Sequence, residues 1–349
     1  MNPLLGILFH AIGGFAAGSF YIPYSKVKNW AWEVYWLVGG FFAWILMPWF
    51  VSWLAVPQLY DLIQEVTFSD AIWPYFFGVL WGIGGLTFGL TMRYLGMSLG
   101  MSMALGLTAA FGTLIPPLYY GQFGVLLENI SGQVILIGVF VSLIGIIIVG
   151  WAGIMKDKEL PEEKKQDHIR EFNLKKGIVV AIFAGVLSAS FAFGIAAGGP
   201  IADLAVRHGA NELFKNSPVF IFIMGGGFTT NLIWCLYLAI KNGTLRDYVK
   251  RDDQTPILSN YFFSALAGIT WYFQFMFYGM GTTQMGEYDF ASWSIHMAFI
   301  IVFSNMWGLI LKEWSGSGRK TIRTILIGLF VLVISTMIIG LGNYIQQFE

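Results

Sequence analysis

The residues of this sequence that could do chemistry away from water are few. His10 and His296 can take up and release a proton near neutral pH. Asp289, Trp293 and His296 fall at i, i+4 and i+7, which puts a carboxylate, an indole and an imidazole on one helical face. Trp271, Gln274 and Tyr278 share a second face at i, i+3 and i+7. A third runs through His10, Gly14, Ala17, Tyr21 and Tyr24. Asn231 lies in another apolar run with Gly227 and Trp234 on its face. Ionisable groups at membrane depth are costly, so each is a functional candidate by default. The set allows two chemistries. Asp289 with His296 has the spacing of a proton relay. The amides of Gln274 and Asn231, with the rings of Tyr21, Tyr24, Trp271, Tyr278 and Trp293, could bind a sugar: rings pack on its C–H faces and amides bond its hydroxyls. A plainer reading stands beside these, in which His10 and Asn231 only bond neighbouring helices and Glu287 and Asp289 are solvated at the outer end of a helix.

The elements that hold these residues must be membrane helices. The 349 residues are 56% hydrophobic and 11% charged, and mean hydropathy is +0.67. Average soluble domains carry about 25% charged residues. A helical span needs about 20 apolar residues. Ten segments qualify: 4–24, 34–56, 72–93, 97–118, 131–151, 177–198, 218–240, 259–280, 290–311 and 323–344. The runs are continuous, unlike the short alternating segments of a membrane barrel. Residues 1–21 lack the basic start of a signal peptide, although Ala16–Ser19 faintly resembles a cleavage site, so they read as a retained first span. Trp30, Trp32, Trp36, Trp49 and Trp53 read as an interfacial belt around the second.

Eighteen of the twenty Lys and Arg residues fall on the side of the first loop, leaving only Arg207 and Lys215 opposite. The positive-inside rule makes that side cytoplasmic and both termini periplasmic. Arg93, alone between Lys28 and Lys156, then ends the third span. Arg93 and Lys26 read as gate or topology anchors, with Glu33 or a helix C-terminus as a partner for Arg93.

The polar loop 152–176 divides the chain into five-span units, 1–151 and 177–349. Laying Gly6 on Gly177 pairs Gly14 with Gly185, Ser19 with Ser190 and Phe20 with Phe191. Five is odd, so a duplicated unit enters the membrane in opposite orientations. Inverted repeats mark secondary transporters. Glycines four apart (14/18, 78/82, 85/89, 96/100, 194/198) suit close helix packing, and Gly225–Gly227 would thin or loosen the seventh span. Neither H-E-x-x-H nor C-x-x-C occurs, the four histidines are scattered, and Cys235 has no partner for an intramolecular disulfide. No cofactor, metal site or nucleic-acid surface is expected. A sugar receptor would need a signalling domain, for which 152–176 is too short, and a channel would need a charged ring.

Several stretches resemble the bacterial L-rhamnose–proton symporter family of the drug/metabolite transporter superfamily. They are FYIPYSKVKNWAWE (20–33), GLTMRYLGMSLG (89–100), EFNLKKG (171–177), IMGGG (223–227), WYFQFMFYGMG (271–281), YDFASWSIHM (288–297) and LILKEW (309–314). The resemblance implies ten spans in the inner membrane and uptake of a 6-deoxy sugar driven by protons. The chain departs from the family pattern at GGLTFG (84–89) and GTTQMG (281–286), which bears on which sugar is carried. An exporter or exchanger of another metabolite is the rival within transport.

Overall fold

The computed structural model describes residues 2–95, 97–119, 121, 123–159, 174–249, 255–286, 290–312 and 314–349. No β-strand occurs among them. The long helices are α1 (Pro3–Tyr24, with a break after Ser19), α2 (Trp32–Ala55), α3 (Phe68–Leu95), α4 (Met97–Tyr119) and α5 (Ile130–Glu159). After them come α6 (Leu174–Ala197), α7 (Ser217–Asn242), α8 (Ile257–Thr282), α9 (Ala291–Ile310) and α10 (Arg319–Ile345). Each expected apolar segment is therefore helical, with ends displaced by a few residues. The expected linker is shorter than 152–176, because α5 runs to Glu159 and α6 starts at Leu174.

Among the described residues, eight segments are long and apolar enough to cross a membrane. They belong to α1, α2, α3, α5, α6, α7, α9 and α10. α4 carries a shorter apolar run, Met103–Leu118. Large apolar side chains cover the outside of the bundle, among them Leu4, Phe140, Ile147, Val179, Ile240, Phe330 and Met337. A water-soluble protein does not expose apolar surface on this scale. The chain is a multi-pass membrane protein.

Local sequence sets the helix ends and irregularities. The Asn2 side chain accepts from the Leu5 N–H at 3.3 Å to cap α1, and Pro3 follows where no donor is needed. α7 ends on Gly243, whose φ of +72° suits a residue without Cβ. α2 widens into a π turn over Phe42–Leu46 just before Pro48. A proline ring collides with the carbonyl four residues back, and the wider turn moves that carbonyl aside.

Small residues then decide which helices meet. Gly39 of α2 and Gly268 of α8 touch backbone to backbone. So do Gly226 of α7 and the Tyr75–Val79 stretch of α3. Gly14 and Gly18 seat α1 on Phe299 and Phe303 of α9. α5 and α10 run antiparallel, with Gly138 and Gly145 against Ile339 and Leu332, and Gly328 and Gly342 against Val149 and Ile135. The expected pair Gly85/Gly89 differs, since Gly85 faces open space. The glycine run in α7 thins the helix without breaking it, because α7 is continuous through 224–227.

Gly268→Leu should therefore force α8 off α2, at a cost of about 1–3 kcal/mol or more for overpacking. Gly85→Ala should be neutral. Thermal unfolding of the purified variants in detergent checks both, and equal stability of the two would refute the assignment of the crossing.

Candidate functional site

α1, α8 and α9 bring His10, Tyr278 and His296 together. The ring centroids of His10 and His296 are 5.9 Å apart, and each lies near Tyr278, at 5.5 and 5.1 Å. Glycines make the room. The His10 ring lies against Gly281 of α8, where an added Cβ would sit 2.5–2.8 Å from its atoms. The His296 ring lies against Gly13 of α1, with its Cε1 at 2.9 Å from the same point. His10 is 0% exposed and His296 1%. Neither nitrogen of the His10 ring has a hydrogen-bond partner, and the His296 ring bonds no side chain and faces the backbone of His10.

Trp293 stands one turn before His296 and meets Tyr278 edge to face at 5.4 Å. Its indole N–H donates to the Thr108 carbonyl of α4 at 2.9 Å, and Gly112 leaves space beneath it. The shared face of Trp293 and His296 is thus present. Asp289 lies outside the described residues. Gln274 is buried one turn from Tyr278, with its amide nitrogen unpartnered.

A second group of rings lies toward the first loop. Phe20, Tyr24, Trp36, Trp44 and Trp271 line a small crevice against Gly39, Gly40, Ala43 and Gly268. Phe20 and Trp271 are 4.1 Å apart, and Tyr24 stacks on Trp36 at 6.0 Å. The indole N–H groups of Trp44 and Trp271 are buried without partners. Rings continue from this pocket through Trp44, Trp81, Phe275 and Phe191 to Trp293, with centroid spacings of 4.5–6.1 Å. The two groups are thus joined by a continuous packed aromatic core. Rings supply faces for C–H groups, and orphaned indole and amide N–H groups supply donors for hydroxyls. Among the described residues no group of acidic, His or Cys side chains could hold a metal.

The other expected residues sit as follows. Tyr21 is 59% exposed, with its ring on Phe20 and 6.3 Å from that of Tyr24. Asn231 accepts from the Trp36 indole at 3.0 Å and donates to the Gly227 carbonyl at 2.8 Å, so its first task is to hold Trp36 in the pocket. Trp234 does not share its buried face and is 45% exposed. Trp36 and Trp30 depart from the expected belt, Trp30 being buried against Val34 and Val38, while Trp32, Trp49 and Trp53 are exposed as a belt requires. Lys26 is exposed in the turn after α1. Arg93 lies in the last turn of α3, and its side chain is outside the described set. Glu33 is buried and accepts from Asn242 at 3.0 Å and Thr244 at 2.8 Å. The stretch GMSLG (96–100) spells G-x-S-x-G, but α4 starting at Met97 follows helix α3, not the strand a nucleophile elbow needs. Sequence reasoning undervalued His10 and missed Trp44, Trp81 and Phe191. The small residues Gly39, Gly40 and Ala43 between Trp36 and Trp44 were the available signal for that pocket.

The family model described as L-rhamnose-proton symport protein matches residues 2–344. The chain is 40% identical over 344 residues to proteins named L-rhamnose-proton symporter from Yersinia pestis (strain Pestoides F) and Yersinia pseudotuberculosis (serotype O:1b, strain IP 31758). The alignments cover 97% of this chain and 98% of each relative.

Trp36→Phe should leave the Asn231 carbonyl oxygen buried without its donor and cost about 1–3 kcal/mol. Combining it with Asn231→Leu should cost less than the sum of the two single changes. Thermal unfolding in detergent measures the cycle, and strict additivity would mean that the bond contributes nothing.

Proposed function

The chain belongs to the L-rhamnose–proton symport family, and from that premise we propose that it takes up L-rhamnose, or a similar 6-deoxy sugar, across the bacterial inner membrane with protons. It is a transporter and not an enzyme. The observation that carries the reading is the buried aromatic site with unpaired indole and amide donors at one end and two imidazoles at the other. No observation favours export, exchange of another metabolite or sensing.

All ten long helices cross the bilayer in this reading, as a 5+5 inverted repeat of residues 1–151 and 177–349. Helix direction supports it for α8. α8 runs antiparallel to α1, pairing Gly6 with Gly281 and Gly13 with Gln274, and parallel to α2. Packing partners exchange when each helix is replaced by the one five places on. α1 packs on α8 and α9 as α6 packs on α3 and α4. Gly14 seats α1 on Phe299, and its counterpart Gly185 seats α6 on Leu107. The ends of α5 and α10 are related in the same way. The Glu159 carboxylate, at the end of α5, accepts from Gly318 N–H and the Thr321 hydroxyl, each at 2.7 Å, at the start of α10. These bonds, led by that from Gly318, hold the Glu159 carboxyl below its usual range. Glu349, after α10, pairs with the backbone and hydroxyl of Ser131 at the start of α5. Both pairs are 190 residues apart in register, and so are ILIGVFV (135–141) and ILIGLFV (325–331). The charge bias puts both termini in the periplasm and residues 152–176 in the cytoplasm, with Lys26 and Arg93 anchoring that face.

The sugar lies along the ring-lined site. Tyr24, Trp271, Tyr278 and Trp293 cover its C–H faces. Gln274 and the indole N–H groups bond its hydroxyls, and Asn231 acts by fixing Trp36. Tyr21 borders the site from its cytoplasmic end. His296 or Asp289 takes the proton from the periplasm. Coupling requires that proton and sugar favour the same conformation, so that each raises the other's affinity. The drug/metabolite transporter superfamily is the wider class in which such a repeat belongs.

Uptake of labelled L-rhamnose into vesicles should rise with an imposed inward proton gradient and collapse with a protonophore. Uptake indifferent to the protonophore would sink the symport reading, and saturable uptake of another sugar alone would sink the substrate. Asp289→Asn should abolish gradient-driven accumulation and spare exchange if Asp289 carries the proton. Unchanged accumulation would remove it from the mechanism.

A further inference from the structure

His10 and His296 stand out within the membrane bundle. Among the described residues, the only buried Asp, Glu, Lys, Arg or His side chains are these two and Glu33. Glu33 lies at the start of α2 with its carboxylate bonded to Asn242 and Thr244. The two imidazoles have four ring nitrogens and no side-chain partner for any of them, the His296 ring facing only the backbone of His10. Orphaned polar atoms in a membrane interior cost free energy, so their presence calls for a ligand that satisfies them. The ring planes stand at 66° with their centroids 5.9 Å apart. The two glycines under the rings show that α1, α8 and α9 are shaped to bring the imidazoles together.

We propose that His10 and His296 form one proton-binding unit that holds a single proton between them, with Tyr278 joining that unit to the sugar site. The proposal rests on the symport reading and adds His10 and a stoichiometry to it. One added proton becomes an N–H on one imidazole, and the lone pair of the other accepts a hydrogen bond from it. A second proton would place two cations side by side in an apolar site, which their repulsion opposes. No other bond changes: the proton arrives from periplasmic water and returns to cytoplasmic water. The groups facing the pair are few. α8 contributes the Tyr278 hydroxyl and α9 the indole of Trp293. α1, α8, α9 and α10 bury no other Asp, Glu, Lys, Arg or His among the described residues. Tyr278 touches both imidazoles and Trp293 at once, so a sugar that displaces its ring changes the room available to the shared proton. That contact gives the coupling a physical path.

The test uses wild type, His10→Gln, His296→Gln and the double variant, each reconstituted at full length into liposomes. Three quantities are read: rhamnose counterflow without a gradient, alkalinisation of the lightly buffered external medium on adding rhamnose, and accumulation driven by a pH gradient. Each single variant should keep counterflow, lose alkalinisation and lose accumulation by about tenfold or more, and the double should be no worse than either, as befits residues that act as a unit. Counterflow affinity should depend on pH in wild type and become flat in the variants. Alkalinisation by His10→Gln at the wild-type level would overturn the pairing, as would a double variant far worse than both singles. Loss of counterflow in both His10→Gln and His10→Asn would also overturn it, by assigning His10 to folding or sugar binding. Wild type that counterflows rhamnose without alkalinising the medium would instead defeat the symport reading itself, so the two failures are distinct.

Discussion

Water does not reach the interior of a helical membrane bundle, so every buried polar group must find its partner within the protein or in a ligand. Most of the buried groups here obey that rule locally. Thr108 bonds the carbonyl of Ala104, Asn343 that of Ile339, and Asn216 reaches from α7 to Gly279 and Thr282 of α8. Asn260 at the start of α8 bonds both backbone groups of Lys28 in the first loop. Glu33 is held by two donors. Several of the exceptions lie on α1, α2, α8 and α9. The imidazoles of His10 and His296, the amide of Gln274 and the indoles of Trp44 and Trp271 have no side-chain partners. A site that binds hydroxyls and a proton in turn must leave donors and acceptors open in this way.

Glycine provides the geometry for that site. Helices in a membrane gain little from burying apolar surface against one another, so close contact depends on small residues. At Gly39 and Gly268 the backbones touch, which draws α2 and α8 together around the pocket of Tyr24, Trp36, Trp44 and Trp271. At Gly13, Gly112 and Gly281 the missing side chain is replaced by a ring from a facing helix: His296, Trp293 and His10 respectively. Packing and chemistry are thus served by the same residues. A Cβ at Gly281 would be a stability defect and would also displace a candidate proton carrier.

The relation between the halves bears on transport. If the two five-helix units are inverted copies, the pocket side of one answers the closed side of the other, and exchanging their conformations exposes the site alternately. The reciprocal contacts of Glu159 with the start of α10 and of Glu349 with the start of α5 tie the ends of that central pair at both faces. Each cap joins an exposed carboxylate to a buried hydroxyl, Ser131 or Thr321. Between them runs the apolar seam of Gly138, Gly145, Gly328 and Gly342 along α5 and α10.

The sequence by itself determined the helices, their ends and the membrane as their solvent, because apolar runs of this length have no other stable fate. It also determined the polar inventory: two histidines and two amides at depth, with Trp293 and His296 on one face, because a helix repeats every 3.6 residues whatever surrounds it. Rotation about the helix axis and the choice of neighbours were decided only by the tertiary structure. The face through His10 and Tyr24 continues to Tyr21 on paper, but Tyr24 is buried and Tyr21 exposed. Trp36 has the spacing of a belt residue and is drawn inward by Asn231 of α7, about two hundred positions away in the chain. His10 meets His296 because Gly281 and Gly13 leave room for their rings. Each of those outcomes depends on a contact between segments far apart in the chain, and periodicity within one helix carries no information about which helix lies beside it.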